Sequence, residues 1–586
     1  MTANVITLDN LQEKLAPWNP KAKSQLFAIV DMGSNGIRFS ITSLAKPTTR
    51  LLLPVYASRA GISLFDVLKQ NKNIFPDATI NEVVETLLRF KQISIEYGVP
   101  DDQFMALATQ AMRSADNASA MLTAIDQRTK GINMNILDPK VETLFGAVMG
   151  SRSGLVDVND GALFMDLGGG SVQMTWMQTG KKGYEIESAK VGFSLPYGAV
   201  EVMDILTQDS KKKRVEELAV LDGKMLEKYS ELVNQVPALK KIKDAYEDGD
   251  KNSTVNVYMC GGGFRGYGSM LMHNDKTDPY PIASTNAYTA PGKLFKDVNE
   301  MRKVNEDYKG RIFGMSKRRR EQFPAIATIV QTFINAVPNI GNVTFSGGSN
   351  RQGALMMKLP VEVRESNPLD VLATVFPEER SIFDAVSGLL KDALPSGVDF
   401  SKTPTVFTAG LEGLFVRDIW GRGGYDDDTN TAFALNNAVL RDPEAPGLTH
   451  LGRALLALTG SARWGGNFGP IDAELFKGLT GVVESQSDDS PIWAGYLGAI
   501  ANVIAAVLPA FPKSAQEVKK AISITSHIKA AEDKKNKVVI KIGVVSNDNT
   551  KGINLDELVD LIEGVAKKSK GKNPSFKISA EINLLS

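Results

Sequence analysis

Two stretches of this 586-residue chain repeat one pattern: an apolar run, Asp-x-Gly, a small polar tip and a second apolar run. The first is FAIVDMGSNGIRFSIT, Phe27 to Thr42, and the second is LFMDLGGGSVQMTW, Leu163 to Trp176. Short apolar runs broken by glycine turns are strands, so each stretch is a β-hairpin with a glycine-rich tip. The spacing predicts further strands at 104–109, 132–137, 255–260 and 343–345. It predicts helices over 79–96, 115–130, 139–150 and 195–245, and over 314–336 behind an N-cap at Ser316. Strands alternating with helices build mixed α/β layers, and an internal duplication makes two related halves.

The rest of the chain divides around that duplication. Residues 1–25 look like a loosely held N-terminal arm. The two halves occupy 26–158 and 159–360. Pro360 and Pro368 bracket a boundary, 361–530 reads as mainly helical, and the charged stretch at 531–536 reads as a linker. The last part, 531–586, is a small α/β cap with strands at 538–545 and 576–582 around a helix at 555–567.

Four glycine loops follow apolar strands: 31–36, 166–171, 260–263 and 345–353. Glycine tips let the backbone approach a ligand closely, and successive N–H groups then cradle phosphate oxygens without a cationic side chain. The phosphate-binding candidates are Gly33, Ser34, Asn35 and Gly36 in the first loop and Gly168, Gly169, Gly170 and Ser171 in the second. Gly261, Gly262, Gly263, Gly347, Gly348 and Arg351 supply the other two. Asp31 and Asp166 hold equivalent places in the repeats. Two carboxylates facing a phosphate repel it unless a cation lies between, which suits Mg²⁺.

Composition narrows the ligand. Lys plus Arg and Asp plus Glu both number 67, so net charge gives no bulk attraction to nucleic acid or anionic membrane. The basic run Lys211 to Arg214 reads as a solvated helix face. One cysteine, Cys260, and three histidines offer no disulfide and no zinc framework. Cys260 reads as a small buried hydrophobe at a strand end. No secretory signal and no membrane span is expected.

With these motifs the chain resembles the Ppx/GppA phosphatase family of the actin–hexokinase–Hsp70 superfamily. VDMGSNGIRFSI and MDLGGGSVQ resemble its two phosphate loops, ALATQAMRSADN (106–117) its Ala-Thr-x-Ala-x-Arg signature, and GMSKRRREQFPA (314–325) its Gly-Leu-Ser-x-x-Arg-Arg segment. The resemblance spans about 26–357. It implies two actin-like (ribonuclease H-like) lobes with a central cleft, Asp31 and Asp166 facing metal, and Arg113 touching a phosphate. Glu142 would activate water, and the ligand would be ATP or another polyphosphate-containing anion. Arg318, Arg319 and Arg320 read as helix-surface and packing residues. Gln173 stands where the phosphatases carry glutamate, and Gly36 where they carry serine. A glutamine orients water but cannot take its proton near pH 7. Together with HLGRALLALTGSARWGGNFG (450–469), these departures resemble a fungal regulatory branch that relays mitochondrial state to nuclear transcription. That branch implies a cytoplasmic nucleotide-binding regulator that engages a negative regulatory protein. A weak or lost Mg²⁺-dependent phosphohydrolase activity with Glu142 as base is the alternative, and a homodimer stays open.

Overall fold

A computed structural model describes residues 5–129, 131–423, 426–530, 535–568 and 576–585. The chain forms two compact units, Met1–Asn274 with Ser284–Pro368, and Asp275–Ala283 with Leu369–Ser586.

The first unit contains both repeats. Strands β1 (Val5–Ile6), β2 (Leu26–Gly33), β3 (Gly36–Ser43), β4 (Leu53–Ala60), β5 (Phe104–Ala108) and β6 (Met134–Leu137) form one sheet, ordered β1-β6-β5-β2-β3-β4. Strands β7 (Ala162–Leu167), β8 (Val172–Met177), β9 (Phe193–Leu195), β10 (Val255–Cys260), β11 (Tyr288–Pro291) and β12 (Ile340–Phe345) form the other, ordered β11-β12-β10-β7-β8-β9. The run β4-β3-β2-β5-β6 thus recurs as β9-β8-β7-β10-β12. In each, three antiparallel strands are followed by two parallel ones. The architecture is two actin-like, ribonuclease H-like lobes.

The apolar runs explain why the repeated hairpins sit centrally. β8 is buried at every position and β2 at all but its ends, as expected of strands covered on both faces. Phe39 stacks on Phe90 of helix Asp77–Glu96 at 4.6 Å. Each such fully buried aromatic contributes about 1.5–3 kcal/mol. A second core, including Ile29, Phe145, Phe164 and Leu355, is shared by both lobes.

Three expectations change. Residues 5–18 are docked rather than loose. β1 pairs with β6, and Leu11, Leu15 and Trp18 are buried. The Trp18 N–H donates to the Lys358 carbonyl at 2.9 Å, and Lys358 Nζ donates to the Ala16 carbonyl at 2.6 Å. Residues 1–4 of the expected arm lie outside the described residues. Gly261–Gly263 are the first turn of helix Gly261–His273, not a loop. Residues 522–529, expected helical, form a strand whose first four positions alternate buried and exposed.

That strand, β13 (Ile522–Lys529), belongs to the second unit. It pairs antiparallel with β14 (Asn536–Val545), which pairs parallel with β15 (Phe576–Leu585). Of the expected linker, 531–534 lie outside the described residues. The helices of this unit include His450–Arg463, Ser490–Val507 and Leu555–Lys568. Trp493 stacks on Phe576 at 4.6 Å and ties helix to sheet. Ser490–Val507 is long and apolar enough to cross a membrane, and it is 78% buried inside the protein.

Candidate functional site

In both hairpins the strand register places the aspartate opposite a polar partner: Asp31 opposite Arg38, and Asp166 opposite Gln173. Arg38 in turn lies opposite Arg59 of β4. Directly opposed residues share a sheet face, so Asp31, Arg38 and Arg59 form a row across the first lobe. The tips of the hairpins meet. A methyl group placed on Gly169 would lie 3.0 Å from Asn35 Cβ, and one on Gly170 would lie 2.8 Å from Ser34 Oγ.

The backbone at both tips is turned the same way. In the first, the Ser34 carbonyl accepts from the Phe65 N–H (3.0 Å) and the Asn35 carbonyl from Arg59 Nη2 (2.9 Å). In the second, the Gly168 and Gly169 carbonyls accept from the N–H groups of Ala199 (3.1 Å) and Val200 (2.9 Å). Across a trans peptide the next N–H points opposite to the carbonyl. The N–H groups of Asn35, Gly36, Gly169 and Gly170 therefore all turn away from these anchors, and all four residues line one cleft.

This cleft, of about 350 Å³, lies between the lobes. Helices Ala199–Thr207, Gly261–His273 and Asn350–Lys358 each bring their first residue to it. Helix Lys317–Ala336 brings its N-cap, Ser316, whose Oγ accepts from the Arg319 N–H. Helix N-termini favour negative charge. Arg38, Arg59, Arg318 and Arg319 also line the wall. Burial holds the Arg59 guanidinium below its ordinary pKa, and neighbouring Arg38 and Arg318 lower it further. Arg319 is pushed down to about 10 by burial, then by Arg265, Arg38 and Arg59. Cations crowded this way are stabilised by an anion among them.

Of the residues singled out from sequence, Asp31, Gly33, Ser34, Asn35, Gly36, Glu142, Asp166, Gly168, Gly169, Gly170, Ser171, Gln173, Gly261, Gly262, Gly263 and Gly348 line the cleft. Arg113, Gly347 and Arg351 do not. The Arg113 guanidinium donates to Glu142 Oε2 (2.6 Å), Gln110 Oε1 (2.8 Å) and the Leu137 carbonyl (2.7 Å). It therefore orients the glutamate rather than facing the cavity. The Gly347 N–H donates to Asn286 Oδ1. Arg318 and Arg319, read as surface and packing residues, are cleft residues. Arg320 is not among the cleft residues and packs instead, donating to the carbonyls of Asn305, Tyr308 and Gly310. Arg38, Arg59 and Gly198 were missed. Gln173 Nε2 donates to Ser171 Oγ (2.8 Å) and Ser194 Oγ (3.1 Å). Both amide hydrogens are spent, so only its oxygen is left, an acceptor suited to water and not to phosphate.

Of the acids lining the cleft, Asp31 and Glu142 are buried and Asp166 is half-buried. Desolvation raises Glu142, with Arg113 opposing, and raises Asp166, with Arg265 and Arg38 opposing. Asp31 Oδ1 is buried with no hydrogen-bond partner. Among the described residues no three His, Cys, Asp or Glu side chains gather closely enough to cage a metal. Mg²⁺ does not need a cage: one or two carboxylates, phosphate oxygens and water suffice, and the orphaned Asp31 oxygen and desolvated Asp166 fit that role. The raised acids also set a pH dependence. A carboxyl raised in the fold contributes stability below its unfolded pKa and loses it as pH rises through the folded value. Asp166→Asn is therefore expected to raise the melting temperature of the ligand-free protein at neutral pH and to match wild type near about pH 4. Thermal melts across pH check this; a gap that does not close in acid contradicts it.

Residues 44–362 match the Ppx/GppA phosphatase family, and residues 367–583 match the RTG2 C-terminal domain. Retrograde regulation protein 2 of Saccharomyces cerevisiae is 29% identical over 500 residues, covering 83% of this chain and 81% of the yeast protein. Among solved structures, an Aquifex aeolicus Ppx/GppA family member is 18% identical (TM-score 0.42), covering 56% of this chain and 96% of its own. An exopolyphosphatase from Cytophaga hutchinsonii is 20% identical (TM-score 0.42), covering 57% and 98%. The chain belongs to the Ppx/GppA phosphatase family and carries an RTG2 C-terminal domain behind its two lobes.

Proposed function

We propose that the cleft binds the phosphate end of a nucleotide or polyphosphate together with Mg²⁺, and that the chain is a regulator whose protein contacts respond to this ligand. The observation that carries the reading is the pair of glycine tips with their carbonyls tied back, facing Arg38, Arg59, Arg318 and Arg319. Asp31 and Asp166 would hold the metal, which supplies positive charge between carboxylate and phosphate. Similarity to Retrograde regulation protein 2 supports a part in retrograde regulation; within this proposal the signal runs from mitochondria to nucleus and the chain acts in the cytoplasm on a negative regulator. By linkage, the affinity for that partner then depends on ligand, and the reverse. Calorimetric titration with Mg-ATP, Mg-GTP, ppGpp and Mg-tripolyphosphate tests the reading. Heat and a thermal shift are expected with at least one; neither heat nor shift with any of the four overturns it.

One observation favours phosphohydrolysis as a second reading. Glu142 lines the cleft, and Arg113 fixes its orientation. Burial raises it, as suits a group that takes a proton from water. Phosphate release from the same four compounds is then expected to vanish in Glu142→Ala. No release from wild type, or release that survives this change, excludes hydrolysis at this cleft.

A further inference from the structure

Just before a segment that lines the cleft, Ser316 to Arg319, the chain holds an aromatic ring out to solvent. Phe313 is 54% exposed, whereas its neighbour Ile312 is 4% exposed. It is the first corner residue of a tight turn closed by the Met315 N–H on the Ile312 carbonyl at 3.1 Å. The second corner, Gly314, has φ +73°, the signature of a type II turn. A larger residue is strained there by the positive φ, and its Cβ would displace the Ser269 hydroxyl, 2.4 Å away. Single exposed apolar residues are ordinary; what distinguishes this one is its support. Arg319, whose side chain lines the cleft, donates to the Gly314 carbonyl at 2.6 Å. Arg320 fixes the base of the same loop through three carbonyls. Ser316, three residues after Phe313, lines the cleft as well. The other aromatic of the loop, Tyr308, packs on His273 at 4.5 Å between ring centroids. Phe313 has no ring partner among the described residues.

We infer that Phe313 is a stacking platform for the base of a nucleoside polyphosphate whose phosphates lie in the cleft. This inference rests on the phosphate-binding reading above and narrows it, since a phenyl face attracts a nucleobase and offers nothing to inorganic polyphosphate. Base–aromatic stacking contributes enough to change affinity about 5- to 100-fold on removal of the ring.

The test compares Mg-ATP, Mg-GTP and Mg-tripolyphosphate on the full chain by calorimetry, for wild type, Phe313→Ala and Phe313→Trp. At least one nucleotide is expected to bind wild type about 5- to 100-fold more tightly than tripolyphosphate does. Phe313→Ala is expected to erase that margin and leave tripolyphosphate unchanged. Phe313→Trp is expected to keep it and to show quenched indole fluorescence on nucleotide addition. Tripolyphosphate binding with no nucleotide margin sinks the platform alone. So does an alanine variant that retains the margin, or one that weakens all three compounds equally, as a purely structural or partner-docking residue would. Absence of binding by all three sinks the platform and the cleft reading together.

Discussion

Glu365→Ala is expected to lower the unfolding free energy by about 3–5 kcal/mol and the melting temperature by roughly 5–10 °C. Its carboxylate stands among three guanidinium groups away from the cleft. Arg152 Nη2 approaches Glu365 Oε2 at 3.1 Å with the arginine side chain 2% exposed, and Arg364 Nε approaches Glu365 Oε1 at 3.2 Å. Arg364 also pairs with Glu185 at 2.8 Å, and the Tyr184 hydroxyl donates to Glu365 at 3.1 Å. Arg50 completes the group, donating to the carbonyls of Ser153, Arg152 and Leu155. Burial pushes Arg50 down to about 9, the Arg152 charge adds to that, and Glu365 opposes it. Removing Glu365 leaves three cations and one carboxylate, Glu185. An uncompensated buried charge costs far more than a lost surface pair. The double change Glu365→Leu with Arg152→Met is expected to cost less than Glu365→Ala alone, since it removes both charges. Calorimetric melts of the single and double variants check both statements. An unchanged midpoint in Glu365→Ala would mean that water already satisfies these arginines.

The strands at the centre of both sheets were legible because strand periodicity and glycine turns are local signals, and because the duplication doubled them; β1, β4, β9 and β11 at the sheet edges were not. The missed cleft residues divide into those that carried a signal and those that carried none. Arg38 carried one: it stands seven residues after Asp31, as Gln173 stands seven after Asp166, and the register opposes each to its aspartate. Reading the repeats side by side would have placed it. Arg59 carried none, because its position follows from the pairing of β3 with β4, and the proline in LPVYASRA disguises that strand. Arg318, Arg319 and Arg320 sit about 100° apart around one helix, so sequence alone cannot choose which of them face the cleft. The family resemblance named both Arg113 and Glu142 as site residues but not their pairing, which is a tertiary contact across 29 positions. The N-terminal residues looked loose because their apolar positions are few. They find partners on β6 and at Lys358, far along the chain.

Gly198 shows most sharply what a sequence conceals, and it carries the second large effect. It belongs to none of the four glycine loops, yet a Cβ there would lie 2.2 Å from the carbonyl carbon and oxygen of Gly169 and 2.4 Å from the Gly170 nitrogen. All three are backbone atoms, so no side chain can rotate away. The next two residues, Ala199 and Val200, hold the Gly168 and Gly169 carbonyls, and those bonds turn the amides of Gly169 and Gly170, two cleft-lining residues, away from that side. Gly198→Val must push the second tip away and break one or both. Two hydrogen bonds to a charged ligand, each contributing about 1.5–3 kcal/mol, are then lost or misdirected. Affinity for the tightest-binding phosphate compound is expected to fall by roughly 100-fold or more. The control is Gly223→Ala, at an exposed position of helix Lys211–Gln235 where a Cβ meets nothing within 4 Å. It is expected to bind as wild type and to be slightly more stable, since alanine favours a helix over glycine by about 1 kcal/mol. Calorimetry on the two variants, with melts to confirm folding, decides the matter. A folded Gly198→Val protein with wild-type affinity would show that the tip amides do not hold the ligand.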